Sequence, residues 1–273
     1  MPLKLMYITN DEKVAAIAQK SGVDRIWIDL ERRGKEERQR GLNTVKSNHV
    51  IKDVSRLRKV ISSSELLVRV NPLHENSGCE INEVIARGAD IVMLPMFRAA
   101  EDAFRFVDMV GGRAKVLLLA ETIGAENGIA GIARVPGVDE IHIGLNDLHL
   151  EHKQKFMFEL LADGTVDKMC EIMRNADMEY GFGGIARLDE GKLPARHIIA
   201  EHYRLGSHMA ILSRSFYDSW LNDDYEEIER VFHYGITEIR EFERRLEDKS
   251  EDFFAKNHDY VRQEVSEIVR GMR

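Results

Sequence analysis

The 273-residue sequence predicts a closed (β/α)8 barrel, a TIM barrel, with additional C-terminal amphipathic helices. Short apolar runs alternate with helical segments along most of the chain, which is the pattern of a parallel sheet. Eight such runs occur, the number that closes a barrel. The alternative is an open, doubly wound sheet, but no glycine-rich phosphate-binding fingerprint follows the first strand.

The predicted strands are short and apolar, and in a barrel their carboxyl ends form one face. They are Leu3–Ile8, Arg25–Leu30, Leu66–Val70, Ile91–Pro95, Val116–Ala120, Glu140–Gly144, Tyr180–Ala186 and Met209–Ser213. Helices with apolar residues at three- and four-residue spacing separate them. These include Asp11–Lys20, Ile81–Arg87, Ala100–Val110 and Thr165–Met178.

The composition changes after Tyr217, where the chain becomes rich in Glu, Arg and Asp. Apolar residues then recur every three or four positions, at Ile228, Phe232, Ile236, Ile239, Phe242 and Leu246. This spacing predicts an amphipathic helix of about seven turns, and a second helix after Asp248–Asp252. We therefore predict a barrel domain over residues 1–216 and a helical extension over residues 217–273. The apolar stripe must be buried, either on the barrel itself or against another subunit.

The overall composition excludes several classes of protein. With 44% hydrophobic and 32% charged residues, the chain is an ordinary globular protein rather than a disordered one. A net charge of −8 argues against nucleic acid or an acidic membrane surface as partner. No apolar run is long enough for a signal peptide or a membrane span, which predicts a cytoplasmic protein. Cys79 and Cys170 have no paired spacing and are interpreted as free thiols.

Two carboxylates mark the candidate site. Glu121 and Asp147 lie 26 positions apart, and each comes after an apolar run, Val116–Ala120 or Glu140–Gly144. A helical segment joins the two runs, so they form a strand, crossover helix, strand unit whose carboxyl ends lie at the same rim. Carboxylate oxygens that meet with no cysteine nearby suit a hard divalent cation, Mg²⁺ or Mn²⁺.

The stretch from Lys115 to Leu150 resembles the HpcH/HpaI aldolase and citrate lyase family, within the phosphoenolpyruvate/pyruvate superfamily. The resemblance is carried by Ala-Glu121-Thr122 at the end of one strand, by a crossover containing Val-Pro-Gly-Val-Asp, and by Leu145-Asn146-Asp147-Leu148. It implies that Glu121 and Asp147 are the metal ligands. It also implies that the backbone at Gly144, Leu145 and Asn146 helps to seat the carboxylate of the substrate.

The resemblance extends to two earlier strand ends. Val68-Arg69-Val70-Asn71 matches the family motif VRxN, and Asp29-Leu30-Glu31 matches its motif DLE. The implied role of Arg69 is to hold the oxygen on which enolate charge develops. Its alternative role is a salt bridge to Glu31 or Asp29. Glu31 either orients Arg69 or a water molecule, or forms a purely structural ion pair.

The sequence departs from the family directly after Glu31. Many family aldolases have a histidine there, whereas this chain has Arg32, and the DLED motif of the citrate-lyase-like members is absent as well. The basic and polar segment from Arg32 to Asn48 is interpreted as a lid. It is followed by His49, which could replace the missing histidine in catalysis or could instead be an exposed or capping residue.

The glycines at the seventh strand are a further candidate. From Gly181 to Gly184 the chain has three glycines, and Gly184 is predicted to bring backbone amides close to a substrate carboxylate. The alternative is that these glycines serve tight packing.

The predicted activity is that of a metal-dependent (class II) aldolase or lyase, which cleaves or forms a carbon–carbon bond in a 2-oxo acid through a pyruvate-type enolate. A Schiff-base aldolase would need a lysine near a strand end, and Lys115 lies at the beginning of its strand. Two alternatives stay open. One is a citrate- or malate-like lyase or synthase, including one that acts on a CoA thioester held by Arg32, Arg33, Lys35, Arg38 and Arg40. The other is a non-catalytic barrel that binds metal and oxo acid.

The resemblance also has a consequence for assembly. Members of the family exchange C-terminal helices in dimers that build hexamers. It therefore implies that the chain is a homo-oligomer based on dimers, and that the C-terminal helices contribute to its interface.

Overall fold

A computed structural model of the chain describes residues 2–34, 48–213, 216–217 and 224–272. Eight parallel strands close a barrel in sequence order. They are β1 (Lys4–Ile8), β2 (Arg25–Asp29), β3 (Glu65–Arg69), β4 (Ile91–Leu94), β5 (Lys115–Ala120), β6 (Glu140–Ile143), β7 (Glu179–Ile185) and β8 (Met209–Leu212). Every strand begins and ends within one residue of its predicted bounds, so the predicted (β/α)8 barrel is confirmed.

Helices surround the barrel. They are α1 (Glu12–Lys20), α2 (Ile51–Arg58), α3 (Ser77–Ala86), α4 (Ala100–Val110), α5 (Ile123–Ile132), α6 (Leu145–Glu151), α7 (Glu159–Ala162), α8 (Thr165–Arg174), α9 (Ala195–Leu205), α10 (Tyr225–Glu247) and α11 (Glu251–Gly271). The helix predicted over Ile81–Arg87 begins four residues earlier, at Ser77. The helix predicted over Thr165–Met178 ends at Arg174, because Asp177 has a left-handed φ of 52° that no helix continues through.

The barrel has two separate apolar regions. The larger core lies between the strands and the helices. A smaller cluster fills the barrel interior and consists of Met6, Trp27, Leu67, Ile91, Met93, Leu117, Leu119 and Met209. Side chains alternate between these two regions along six of the strands, as the two-residue period of a strand requires, whereas β6 and β7 contribute no side chain to the interior cluster.

A buried ionic cluster closes the amino end of the barrel, opposite the candidate site. Arg25 donates to both oxygens of Glu140, at 2.5 and 2.6 Å, and to Glu65 at 2.9 Å. Lys4 pairs with Glu140 at 3.2 Å and Lys115 pairs with Glu65 at 2.6 Å. Lys4 and Lys115 are therefore held at the end of the barrel away from the predicted chemistry.

Helix α10 packs on the barrel of its own chain. The stripe residues Ile228, Phe232, Ile236, Ile239 and Leu246 are buried. At the amino end of β1, Glu243 Oε1 accepts from the Leu3 N–H at 2.7 Å, and Arg240 donates to the Leu3 carbonyl at 2.8 Å. Of the two ways in which the sequence allowed this stripe to be buried, the structure shows the first.

Helix α11 lies on the outside of α9. Val261 and Val265 are buried, and Asn257 and His258 both contact the carboxylate of Glu201 on α9, at 2.8 and 2.9 Å. None of the helices within the described ranges is long and apolar enough to cross a membrane. Cys79 and Cys170 are free thiols, as predicted.

Candidate active site

Four charged side chains lie together at the carboxyl end of the barrel. Glu31 follows β2, Arg69 ends β3, Glu121 follows β5, and Asp147 lies in the first turn of α6. All four are buried, with exposed fractions of 3, 8, 2 and 8%. The charges of Arg69, Asp147 and Glu31 all act on Glu121. The structure thus brings together the four charged residues that the sequence motifs selected.

Arg69 is held by three contacts from β2 and its loop. Its Nε and Nη2 donate to the two oxygens of Asp29, both at 2.8 Å, which is a bidentate pair. Its Nη1 lies 3.3 Å from Glu31 Oε2, and its guanidinium lies 5.0 Å from the ring centroid of Trp27. Burial lowers the pKa of Arg69, but Asp29 and Glu31 more than offset this and raise the pKa above its ordinary value. The salt bridge that the sequence offered as an alternative role therefore exists, to both acids.

Glu121 receives a hydrogen bond from an unusual backbone position. The Met96 N–H, in the loop after β4, donates to Glu121 Oε1 at 3.1 Å. Met96 has a φ of 55°, which is uncommon for a residue with a side chain and marks a constrained loop. Burial raises the pKa of Glu121 well above its ordinary value, and although Arg69 lowers the pKa, Asp147 and Glu31 raise it further.

Gly144 permits a close approach between β6 and Glu121. A Cβ atom at Gly144 would lie 2.7 Å from the Cβ of Glu121 and 2.9 Å from its Oε2. No real side chain tolerates such distances, so only glycine fits this close to Glu121. Gly144 is half-buried, Leu145 is buried and Asn146 is exposed. These three predicted substrate-binding residues therefore lie beside Asp147 at the start of α6.

The donor set fits a hard divalent cation. Two carboxylates, Glu121 and Asp147, are buried close enough for the charge of Asp147 to raise the pKa of Glu121, and a bound cation would relieve this repulsion. In the part of the chain that the structure describes, no group of three or more His, Cys, Asp or Glu residues is arranged to hold a metal. A cation here would therefore take its other ligands from water and substrate, as Mg²⁺ commonly does.

His49 is buried against β2 rather than exposed. Its Nδ1 accepts a hydrogen bond from the Asp29 N–H at 3.0 Å, and its exposed fraction is 1%. A neutral ring that accepts at Nδ1 carries its proton on Nε2. Arg32, which occupies the position of the family histidine, donates to the His49 carbonyl at 3.1 Å. Most of the predicted lid, residues 35–47 with Lys35, Arg38 and Arg40, lies outside the described residues.

The glycines of β7 have different surroundings. A Cβ at Gly181 would lie 2.2 Å from the Met209 carbonyl oxygen, and Gly183 has a φ of 53°. Packing and backbone conformation therefore account for these two. A Cβ at Gly184 would meet only ordinary contacts at 3.4 Å, so packing does not require a glycine there.

Sequence motifs selected Asn71 but did not say what it does. Its Oδ1 accepts from the N–H groups of Arg32 and Arg33, at 2.9 and 3.1 Å. Its Nδ2 donates to Glu80 on α3 at 2.8 Å. Asn71 thus ties the loop after β2 to the loop after β3. Trp27, which lies under Arg69, was not selected at all, although its position two residues before Asp29 places both on one face of the strand.

The chain was compared with protein-family models and with curated protein sequences. A family model described as HpcH/HpaI aldolase/citrate lyase matches residues 4–161. No curated protein sequence matches the chain.

Solved structures share the fold at low sequence identity. An HpcH/HpaI aldolase from Desulfitobacterium hafniense DCB-2 has 14% identity and a TM-score of 0.61, with 78% of this chain and 86% of that one covered. An HpcH/HpaI aldolase/citrate lyase family protein from Burkholderia cenocepacia J2315 has 16% identity and a TM-score of 0.64, with 88% and 95% covered. The citrate synthase SbnG has 17% identity and a TM-score of 0.59, with 88% and 94% covered.

Proposed function

Because the chain belongs to the HpcH/HpaI aldolase/citrate lyase family, we propose that it is a metal-dependent aldolase that cleaves or forms a carbon–carbon bond in a 2-oxo acid through a pyruvate-type enolate. Membership of the family implies carbon–carbon lyase chemistry. The observation that carries the finer proposal is the convergence of Arg69, held in a fork by Asp29, with the buried carboxylates Glu121 and Asp147.

Glu121 and Asp147 would hold the cation, Mg²⁺ or Mn²⁺. When bound, the cation would supply Lewis-acid polarisation of the 2-oxo group of the substrate. The backbone at Gly144, Leu145 and Asn146, together with Gly184 on the neighbouring strand β7, would seat the substrate carboxylate. The structure supports this arrangement through the absence of a side chain at Gly144, which leaves the end of β6 close to Glu121.

Arg69 is suited to hold the enolate oxygen. A guanidinium has five N–H groups, and the contacts with Asp29 and Glu31 use three of them. The other two can donate to an oxygen on which negative charge develops. Because Asp29 and the ring of Trp27 already fix the guanidinium, little reorganisation is needed when that charge appears.

The cleavage requires proton transfers at two positions. A base takes the proton of the 4-hydroxyl group, the C3–C4 bond breaks to give an aldehyde and the enolate of pyruvate, and C3 of the enolate then takes a proton. We assign proton uptake to Glu31, the carboxylate of the site that is not assigned to the cation. The neutral ring of His49 carries its proton on Nε2, so we assign His49 as a proton donor rather than as the base.

A second candidate function is that of a citrate- or malate-like lyase or synthase, including one that acts on a CoA thioester. One feature favours it: a citrate synthase is among the proteins with this fold. Arg32 does not distinguish the two functions, because it departs from the motifs of both subgroups. The same enolate step would serve it with a different reaction partner. A barrel that binds metal and oxo acid without catalysis would show no such step.

The test is exchange of the C3 protons of pyruvate in D₂O, followed by NMR with Mg²⁺, with Mn²⁺ and with a chelator. We expect metal-dependent exchange by the wild-type chain and its loss in Glu121→Gln. The control is Glu83→Gln, which changes a carboxylate on α3 that pairs with Arg87 one helix turn later. Metal binding without exchange would contradict the pyruvate-aldolase proposal and favour the thioester or binding-protein alternatives.

Assembly and domain division belong to the same proposal. We propose that the chain forms a homo-oligomer based on dimers, and that the barrel domain ends at residue 216. Light scattering coupled to size-exclusion chromatography tests the first point. Five of the six stripe residues of α10 are buried within the chain, and Phe242 is half-buried.

A further inference from the structure

The carboxylate of Glu151 connects the helix that carries Asp147 to the residues that directly follow Glu121. Glu151 lies four residues after Asp147 on α6, so the two share a face of that helix. Its Oε2 accepts from the N–H of Ile123 at 2.7 Å. Ile123 is the first residue of α5 and lies two positions after Glu121. The carboxylate thus joins the end of the β5 segment to the helix that follows β6.

The second oxygen of Glu151 extends this connection to the loop after β4. Arg98 Nη2 donates to Glu151 Oε1 at 2.7 Å. Two residues earlier, the Met96 N–H donates to Glu121. The connection therefore runs from Glu121 through the β4 loop to Glu151, which lies on the same helix as Asp147, and Ile123 closes it back towards Glu121.

The loops after β4 and β5 also touch directly. Thr122 Oγ1 donates to the Phe97 carbonyl at 2.7 Å. A Cβ at Gly124 would lie 2.8 Å from the Arg98 carbonyl oxygen. These contacts hold the β4 and β5 loops together. Helix α6 is held against α5 by the bonds of Glu151 and by His152, whose Nε2 lies 2.6 Å from Glu126 Oε2.

We propose that Glu151 is a positioning residue that sets the separation of the carboxylates of Glu121 and Asp147 and thereby the affinity of the site for a divalent cation. The proposal rests on the proposed function, since it presupposes that these two acids hold a metal. Two buried like charges repel each other, and a tie between their loops opposes their separation.

The solvent exposure of the Arg98–Glu151 ion pair distinguishes a positioning role from a contribution to global stability. The side chain of Arg98 is 60% exposed and that of Glu151 is 24% exposed. An ion pair at such a surface contributes little to global stability. Loss of Glu151 should therefore change the geometry of the metal ligands without unfolding the chain.

The experiment is a titration with Mn²⁺ alone, followed by electron paramagnetic resonance, on the full chain. Partners that orient metal ligands typically contribute about 10- to 100-fold to affinity, so we expect the dissociation constant of Glu151→Ala to rise by about that factor. In Glu151→Gln the amide oxygen can still accept from Ile123, so this variant should recover most of the affinity. Glu83→Ala removes an Arg–Glu pair of the same 2.7 Å length on α3 and should bind as the wild type does.

The melting temperature of each variant is measured alongside, and we expect all of them to stay close to the wild type. Wild-type affinity in Glu151→Ala would overturn the positioning role while leaving the metal assignment intact. An equal loss in Glu83→Ala would overturn it as well, because the effect would then not depend on the link between the loops. Absence of Mn²⁺ binding by the wild-type chain would overturn the metal assignment and this inference together.

Discussion

Replacement of Gly144 by alanine tests whether the end of β6 must lie this close to Glu121. Gly144 has φ −82° and ψ 83°, a negative φ that alanine also adopts, so the backbone is not the obstacle. The added Cβ would lie 2.7 Å from the Cβ of Glu121 and 3.3 Å from Leu119 Cδ1. Carbon atoms in contact are normally at least about 3.5 Å apart, so Glu121 would have to move by about 0.8 Å.

The energetic consequence can be estimated from this displacement. Overpacking of a buried site costs about 1–3 kcal/mol, and alanine regains about 0.4–1 kcal/mol through the unfolded state. We therefore expect a net loss of up to about 2.6 kcal/mol, and of about 1.3 kcal/mol at the middle of both ranges, in the free energy of unfolding. Metal ligation tolerates deviations of only about 0.2 Å in ligand distance, so the affinity for Mn²⁺ should fall at least about tenfold.

Urea unfolding and a Mn²⁺ titration measure the two quantities. The matched control is Gly78→Ala on α3, where an added Cβ meets nothing within 4 Å. This control should gain about 0.5–1 kcal/mol, because glycine within a helix is unfavourable relative to alanine, and its affinity for Mn²⁺ should not change. If Gly144→Ala matched the wild type in both measurements, the reasoning from close packing at Glu121 would be refuted.

Two further predictions concern Arg69 and His142. Arg69→Lys keeps the charge but loses the fork on Asp29, so the rate of pyruvate C3 exchange should fall by about 10²–10³-fold in a folded chain; an unchanged rate would exclude Arg69 from the chemistry. Burial lowers the pKa of His142 from 6.5 to about 4. Because the folded-state pKa is depressed, the neutral ring contributes stability above pH 6.5 that is lost as the pH falls towards 4, up to about 3 kcal/mol. Urea unfolding across this range should therefore show a smaller loss in His142→Gln, and an equal loss in wild type and variant would contradict the assignment.

Local sequence sufficed for the strands and for the pair of acids. Parallel strands that are buried on both faces are nearly continuous apolar runs, which is why every predicted boundary lies within one residue of the structure. Glu121 and Asp147 follow the two strands of a single crossover unit, whose handedness and direction are almost invariant. Helix ends were less predictable, since the left-handed φ of Asp177 leaves no mark in the hydrophobic pattern.

Tertiary structure alone determined how the site is held. Asp29 accepts two hydrogen bonds from Arg69, which is 40 positions away in the sequence. Arg98 donates to Glu151, which is 53 positions away. The tautomer of His49 depends on the hydrogen bond from a backbone N–H of β2. The apolar stripe of α10 is buried against the barrel of its own chain. Hydrophobic periodicity depends on residues that are only a few positions apart, so it can be predicted from the sequence alone. Partners of buried charges depend on which strand ends the closed barrel brings together, and that proximity exists only once all eight strands are paired.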